Sequence, residues 1–255
     1  TLLTFDSPGN VVGWTLDHNK LPRVAVRAEE RVGKELFTMR NVWLRSGEGA
    51  KWEKIFEYKV TWSQPHTEVL EPIAFDYDNT TLYVSTNIGG RDKQAIYKYD
   101  TTTKKLGALV FEHPLIDVEG GLLFSDEKKK LVGIRYSAEM PTTKWLDPEL
   151  DALQKQLDAT LPGNINQIGV VEEKTKRLLL TSVSPVNAGE YFLFDNEKKA
   201  IEPLVKRRDW LPANLMSDRK FIKYKSRDGM EIPAWVTIPK GSNGRATFKP
   251  SAWRR

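Results

Sequence analysis

The sequence predicts an all-β protein, a partial β-propeller of about four blades. Short runs of alternating apolar residues, rich in β-branched and aromatic side chains, dominate the chain, and clusters of Asp, Asn, Gly and Lys separate them. The pattern recurs roughly every 45 to 50 residues in units of four strands, which is the period of propeller blades. A plain β-sandwich is the alternative architecture.

The clearest unit is residues 73–111, whose four predicted strands are separated by turns at 78–80, 87–92 and 101–105. One four-stranded sheet exposes two apolar faces, so neighbouring units are expected to cover them. The predicted blades comprise residues 11–58, 73–111, 120–146 and 165–205.

One segment breaks the β pattern and predicts a helix over residues 148–161. Asp147 can cap it, Pro148 suits the first helical position, and Pro162 and Gly163 end it. Its leucines fall on one stripe, namely Leu150, Leu153, Leu157 and Leu161. We interpret the helix as an insertion that packs on a blade edge, with a partner-binding helix as the alternative.

After residue 205 the four-strand rhythm stops. Residues 206–218 are predicted to be a linker, and residues 219–241 a hairpin that opens a second sheet. Gly229 supplies the turn of this hairpin, and Met230, Ile232, Ala234, Val236 and Ile238 alternate strictly, which predicts one buried face. Residues 242–255 form an atypical tail with no core strand.

The hairpin and two earlier stretches carry a resemblance to a known family. Residues 189–195 (GEYFLFD), the helix with its flanks at 146–163, and above all residues 224–241 resemble the prolyl oligopeptidase family of serine peptidases. The similarity is to its acylaminoacyl-peptidase and dipeptidyl-peptidase-like branch. The resemblance implies a propeller that restricts substrates to peptides, stacked on an α/β-hydrolase domain with a Ser-Asp-His triad. The hairpin would begin the hydrolase sheet.

The chain departs from that family after Gly241. The His-Gly-Gly stretch that helps form the family's oxyanion hole does not follow, G-x-S-x-G is absent, and no histidine follows His113. We therefore expect a fragment with no catalytic, cofactor-binding or metal-binding residues, inactive by itself. The full-length enzyme would hydrolyse peptide bonds in short peptides. The alternative function is a stand-alone protein-interaction module.

The composition of the chain limits the kinds of partner that we expect. The formal charge is +5 with acidic and basic residues intermixed, no apolar run approaches a membrane span, and there are no cysteines, which excludes disulfides and thiolate chemistry. We expect neither nucleic acid nor membrane as a partner, and no cofactor. Uncovered blade edges would allow self-association. The cellular compartment is not predicted.

The remaining candidate residues favour structural roles. His18, His66 and His113 are predicted to be solvated turn or loop residues, and Asp76 and Asp78 to be turn residues rather than calcium ligands. The glycine pairs 89–90 and 120–121 lack a helix that would complete a phosphate site. Trp14, Trp43, Trp52 and Trp62 lie in or beside the first unit and are predicted to be buried between blades, with ligand stacking as the alternative. Trp62 and Trp145 are the two candidates for exposure.

Overall fold

A computed structural model describes residues 6–32, 36–61, 67–172 and 177–240. These residues divide into two compact units. Unit 1 contains the chain up to residue 138 together with residues 143–148, and unit 2 contains residues 139–142 and the chain from residue 149 onward.

Sheet 1 is an antiparallel meander of four strands in unit 1. Its order follows the chain: β1 (Val11–Leu16), β2 (Pro22–Val32), β3 (Leu36–Leu44) and β4 (Glu53–Val60). The register places Val24 opposite Leu44 and Val26 opposite Val42, so apolar residues share one face.

Sheet 2 repeats this topology with a two-sided core. It comprises β5 (Leu70–Phe75), β6 (Thr81–Thr86), β7 (Ala95–Asp100) and β8 (Lys105–Phe111). Five successive residues of β6, 82–86, are buried. A strand buried on both faces is typical of a sheet that lies between two others.

Sheet 3 has three strands where the repeat predicts four. Its order is β11 (Pro141–Trp145), β10 (Lys130–Ser137) and β9 (Leu122–Ser125). After β11 the chain forms helix α1 (Pro148–Thr160) in place of a fourth strand. The fixed φ of Pro148 suits the first turn of a helix, and its missing N–H would leave a gap in the hydrogen bonding of a strand. Gly133 in β10 leaves room for Trp145, since an added Cβ would lie 2.8 Å from the Trp145 ring.

Apolar side chains join the three sheets of unit 1. One buried cluster combines Val24, Val42 and Leu44 of sheet 1 with Phe75 and Leu82 of sheet 2. A second combines Tyr83 and Ile96 of sheet 2 with Leu131 and Ile134 of sheet 3. Each sheet is thus covered by its sequence neighbour, which is the packing of consecutive propeller blades.

Two turns between strands share the same local structure, an Asp side chain that caps backbone N–H groups and a Lys in the left-handed region. The Asp100 carboxylate accepts hydrogen bonds from the N–H groups of Thr102 and Thr103, and Lys104 adopts a φ of 56°. Asp195 and Lys199 take the same two roles in unit 2. The Asp and Lys clusters in the sequence are therefore turn chemistry, because an Asp side chain caps the backbone N–H groups two and three residues on.

Unit 2 contains a helix, a sheet and a hairpin. The helix α1 (Pro148–Thr160) precedes sheet 4, a meander of β12 (Ile165–Glu172), β13 (Arg177–Ser184), β14 (Asn187–Asp195) and β15 (Ala200–Lys206). A short 3-10 helix (Ala213–Leu215) leads to the hairpin of β16 (Arg219–Lys225) and β17 (Glu231–Thr237).

The helix α1 is held by burial of one leucine and by hydrogen bonds at its C-terminal end. Leu157 is 1% exposed. Asn166 of β12 forms the hydrogen bonds. Its Nδ2 donates to Asp158 Oδ1 and to the Leu161 carbonyl, both at 3.0 Å, and its Oδ1 accepts from Ser182 Oγ at 2.6 Å. These hydrogen bonds tie the C-terminal end of α1 to β12.

The predicted fold class is confirmed. The described residues form an all-β protein of successive meander sheets with one inserted helix, a partial propeller-type fold followed by a separate two-stranded hairpin.

Candidate functional site

The hairpin of β16 and β17 is the element that the sequence singled out. Ser226 O accepts a hydrogen bond from the N–H of Gly229 at 3.0 Å, and Gly229 has a φ of 86°, as a glycine turn requires. The predicted alternation is present in part: Ile232, Ala234 and Val236 are half-buried, but Met230 is 65% exposed. Two strands alone cannot enclose a core, so one face is only partly covered.

Trp235 connects the hairpin to another part of unit 2. Its indole N–H donates to the Glu139 carbonyl at 2.8 Å. The Phe221 ring lies 5.6 Å away in an edge-to-face arrangement, and the Arg219 guanidinium lies 5.5 Å from the Trp235 ring centre. These contacts hold the exposed hairpin in place by aromatic packing and a cation–π interaction.

A concavity of about 600 Å³ adjoins the hairpin within unit 2. Its lining is mainly apolar, with three hydroxyl side chains and one cation: Pro141, Ile165, Val183, Ser184, Pro185, Leu215, Met216, Ser217, Arg219, Thr237 and Pro239. That combination suits binding of an apolar group.

The serines of this concavity lack the setting of a nucleophile. Ser184 Oγ accepts from the N–H of Asn187, and Ser217 Oγ accepts from the N–H of Lys240, each at 3.1 Å. No histidine is among the lining residues. A serine nucleophile needs an adjacent general base, and among the described lining residues neither serine has a histidine beside it.

His18 lies in a turn, as predicted, but it is not fully solvated. The imidazole is half-buried and stacks on Tyr77, with ring centres 3.8 Å apart and planes inclined by 19°. Its Nε2 lies 3.1 Å from the Phe75 carbonyl, and its backbone N–H donates to Asn79 Oδ1 at 2.8 Å. The packing of sheet 2 beside the β1–β2 turn buries the ring, which the local sequence could not reveal.

Tyr77 extends this contact to a third turn. Its hydroxyl donates to Asp126 Oδ1 at 2.7 Å, and this hydrogen bond holds the pKa of Asp126 below its usual value. Turns of sheets 1, 2 and 3 are therefore joined by His18, Tyr77 and Asp126. The arrangement links three sheets of unit 1.

The other two histidines are not brought near His18. His113 is a half-buried loop residue whose Nδ1 accepts from the N–H of Leu115 at 3.2 Å, near a small polar concavity that also contains Arg91 and Glu112. Arg91 and Glu112 form an ion pair there. His66 lies outside the described residues.

Asp76 and Asp78 act in a turn, as predicted. Asp76 accepts from the Tyr83 hydroxyl at 2.8 Å, and burial together with this bond raises the pKa of Tyr83. Partial burial opposes ionisation of Asp78, yet hydrogen bonds from Thr81 and Thr80 hold its pKa below the usual value. Across the described ranges, no group of three or more acidic or histidine side chains could hold a metal ion.

The Gly89–Gly90 loop binds an anion of its own chain. Glu68 Oε1 accepts from the N–H groups of Gly89 at 2.8 Å and Gly90 at 3.3 Å. Adjacent N–H groups that converge in this way form an anion-binding concavity. Here the carboxylate of Glu68 fills it, so the loop has an internal structural role.

The tryptophans follow the predictions only in part. Trp43 and Trp52 are half-buried. Trp145, a candidate for exposure, is only 7% exposed and packs over Gly133. Trp14 is 37% exposed and lies 5.7 Å from Trp52, on the face of sheet 1 that does not contact sheet 2. The predicted burial of Trp14 between blades is therefore wrong. Trp62 lies outside the described residues.

In the parts of the chain that the structure covers, no helix is long and apolar enough to cross a membrane.

Comparison with known proteins gives a structural likeness only. No family model matches the chain. No curated protein matches it either. Solved structures do match: puromycin hydrolase at 15% identity, with a TM-score of 0.51, over 90% of this chain and 34% of that chain. Prolyl oligopeptidase B from Galerina marginata matches at 12% identity, with a TM-score of 0.46, over 94% of this chain and 33% of that chain.

These matches bear on the fold. The chain shares the fold of the corresponding part of puromycin hydrolase, and it spans about a third of the length of the solved structures that it matches.

Proposed function

We propose that this chain is the non-catalytic propeller portion of a prolyl oligopeptidase-like serine peptidase, with the acylaminoacyl-peptidase and dipeptidyl-peptidase-like branch as its place in the family. The full-length enzyme would hydrolyse peptide bonds in short peptides. The observation that carries the proposal is the chain order of meander sheets followed by the β16–β17 hairpin, which follows a fold shared with puromycin hydrolase over 90% of this chain.

The chemistry of the described residues supports a non-catalytic role. His18 contacts a carbonyl oxygen and a tyrosine ring, and His113 accepts from a backbone N–H. Among the residues that the structure covers, neither histidine accepts a hydrogen bond from a serine hydroxyl, so the nucleophile–base pair of the triad mechanism is not formed. In this proposal the sheets screen access to a site formed by other residues.

The hairpin supports the second half of the proposal. Its side chains are more exposed than those of sheets 1 to 4, with Ile222, Tyr224, Met230, Trp235 and Ile238 all exposed. A two-stranded element with this much apolar surface is unlike an independent domain and suits the first hairpin of a larger sheet.

An activity assay tests the non-catalytic assignment. The purified chain is incubated with fluorogenic aminoacyl and short peptidyl substrates, and separately with a fluorophosphonate that labels activated serines. We expect no turnover above buffer and no labelling, with an authentic serine peptidase as the positive control. Turnover by the chain that the fluorophosphonate abolishes would refute the assignment.

The alternative of an interaction module that docks through α1 receives less support. Leu157 is 1% exposed, and Leu153 is half-buried, so these two leucines of the stripe are already covered. Replacement of these leucines by aspartate would destabilise unit 2 instead of selectively removing a partner.

A further inference from the structure

A run of basic residues at the end of sheet 4 is not used by the proposed function. Lys206, Arg207 and Arg208 are consecutive, and Asp209 comes next. Endopeptidases of the trypsin type bind a basic side chain in a pocket with a carboxylate at its base. Each run of adjacent basic residues is therefore a chemically suitable cleavage site. Within the described ranges such runs also occur at 104–105, 128–130, 198–199 and 219–220.

The run after sheet 4 is exposed along its whole length, from residue 206 to residue 210. Lys206 forms an ion pair with Glu190 at 3.3 Å. In the described part of the chain, residues 207–209 form no ion pair. Lysine, arginine and aspartate are almost never fully buried unless they are paired, so the charges by themselves favour a position at the surface.

The backbone of this segment is held by few hydrogen bonds. The N–H of Arg207 donates to the Gly189 carbonyl at 2.9 Å, and the N–H of Leu211 donates to the Arg208 carbonyl at 3.1 Å. Among the described residues, the N–H groups of residues 208–210 find no acceptor. The segment begins at the end of β15, which is an edge strand of sheet 4. Little regular structure therefore opposes its extension.

The other basic runs lie in structure that is held more firmly. Residues 104–105 and 198–199 belong to turns in which an Asp side chain caps two backbone N–H groups. Both end residues of the run 128–130 form ion pairs at 2.9 Å with Asp147, which is 2% exposed. Residues 219–220 lie inside β16 and pair with β17.

The cost of local opening separates these runs. A protease binds its substrate as an extended segment, so cleavage of a folded chain first requires the segment to open. When opening is fast relative to cleavage, the rate of cleavage follows the population of the open form. Opening residues 207–211 breaks two backbone hydrogen bonds, whereas opening any other run disrupts paired strands or a buried carboxylate. The segment after sheet 4 should therefore open most readily.

We propose that residues 206–208 are a site of limited proteolysis, where an endopeptidase specific for basic residues hydrolyses the peptide bond after Arg207 or Arg208. Water adds across that bond: the carbonyl of the arginine becomes a carboxylate, and the following residue gains a free amino group. The cut divides the chain between sheet 4 and the β16–β17 hairpin. This inference does not depend on the proposed peptidase relationship.

Limited digestion of the full chain with trypsin tests the proposal. Mass spectrometry measures, under native conditions, the initial rate at which each of the basic runs is cut. Synthetic peptides that span each run give the rate in the absence of the fold. The ratio of the two rates is the protection that the structure confers, free of the protease's sequence preference. We expect the protection at residues 206–208 to be at least about tenfold lower than at every other run.

Two variants complete the test. Lys206→Gln combined with Arg207→Gln and Arg208→Gln removes the basic side chains, so cleavage at this segment should disappear. The matched control is Lys198→Gln combined with Lys199→Gln, which removes a basic pair from a capped turn and should leave the rate at residues 206–208 unchanged.

Equal or lower protection at any other run would overturn the proposal. Cleavage of another run in the triple variant, at the rate that residues 206–208 show in the unchanged chain, would overturn it too. Far-UV circular dichroism verifies that each variant keeps its strand content.

Discussion

Gly121, at the entry to β9, is predicted to be the glycine whose replacement most damages sheet 3. Its φ is 78°, and a Cβ built on it would lie 2.1 Å from the Arg135 carbonyl oxygen. The same two residues are joined by the N–H of Arg135, which donates to the Gly121 carbonyl at 2.8 Å. Because the obstacle is backbone on the neighbouring segment, a side-chain rotation cannot relieve it.

Gly121→Ala therefore carries two costs. A left-handed conformation costs an L-residue about 1–2 kcal/mol. Moving the neighbouring backbone out of contact costs about 1–3 kcal/mol. The sum, roughly 2–5 kcal/mol, is a large fraction of the about 5–15 kcal/mol that holds a typical domain folded. A chain of this size should lose about 10 °C in Tm.

Gly120 provides the matched control one residue away. A Cβ added to Gly120 meets no atom within 4 Å, and its φ lies outside the left-handed region. Gly120→Ala should keep the free energy of unfolding within about 1 kcal/mol of the original. Thermal unfolding followed by far-UV circular dichroism gives both values. Equal midpoints for the two variants would refute the reasoning about Gly121.

Three further predictions follow from burial and ionisation. Leu157→Ala should cost about 2–5 kcal/mol in urea unfolding, whereas Gln156→Ala on the exposed side of α1 should change little; similar losses would contradict the packing of the helix. Burial raises the pKa of Tyr58 to about 12, so the stability that this group contributes is complete below about pH 10 and is lost as the pH rises towards 12. Tyr58→Phe should reduce the loss of unfolding free energy between about pH 10 and 12. An unchanged pH dependence in that range would contradict the raised pKa of Tyr58. The Tyr77 hydroxyl lowers the pKa of Asp126, so the stability that this carboxylate contributes is present above about pH 4 and is lost as the pH falls further. Asp126→Asn should therefore make the free energy of unfolding depend less on pH in the acid range. Urea unfolding at a series of acid pH values measures this, and an unchanged dependence would contradict the prediction.

Strand periodicity and turn chemistry made much of the fold predictable. Short apolar or alternating runs predicted the strands of sheets 1, 2 and 4. A half-buried strand has an apolar residue at every second position, and a strand buried on both faces, such as β6, is apolar throughout. The Asp and Lys clusters located turns such as 100–104, since these side chains act within a few residues of the backbone. The stripe of leucines and Pro148 located α1 to within a residue of its observed end.

The missed features all depend on contacts between distant residues. His18 packs against Tyr77, 59 positions later in the chain, and nothing near His18 encodes that stack. Trp14 and Trp145 are both aromatic strand residues, yet one is exposed and the other is buried by the absence of a side chain at Gly133. The three-strand form of sheet 3 depends on where the chain leaves the sheet. Local patterns predict helices and strands well, but which residues pack against each face of a sheet depends on tertiary contacts.

The functional proposal joins two kinds of evidence. Resemblance in the hairpin residues suggested a serine peptidase, and the structure adds a fold shared with puromycin hydrolase while placing the described histidines in structural contacts. Catalysis in such a protein would require a serine, an acid and a histidine supplied outside the described sheets.

The DNA that flanks this reading frame provides the most direct test of the central claim. The account predicts that sequence encoding His-Gly-Gly, then G-x-S-x-G, an aspartate and a histidine in that order lies downstream of the codon for Gly241, in the same or a neighbouring frame. Flanking DNA that encodes none of these elements would contradict the peptidase relationship and favour the alternative of a stand-alone interaction module.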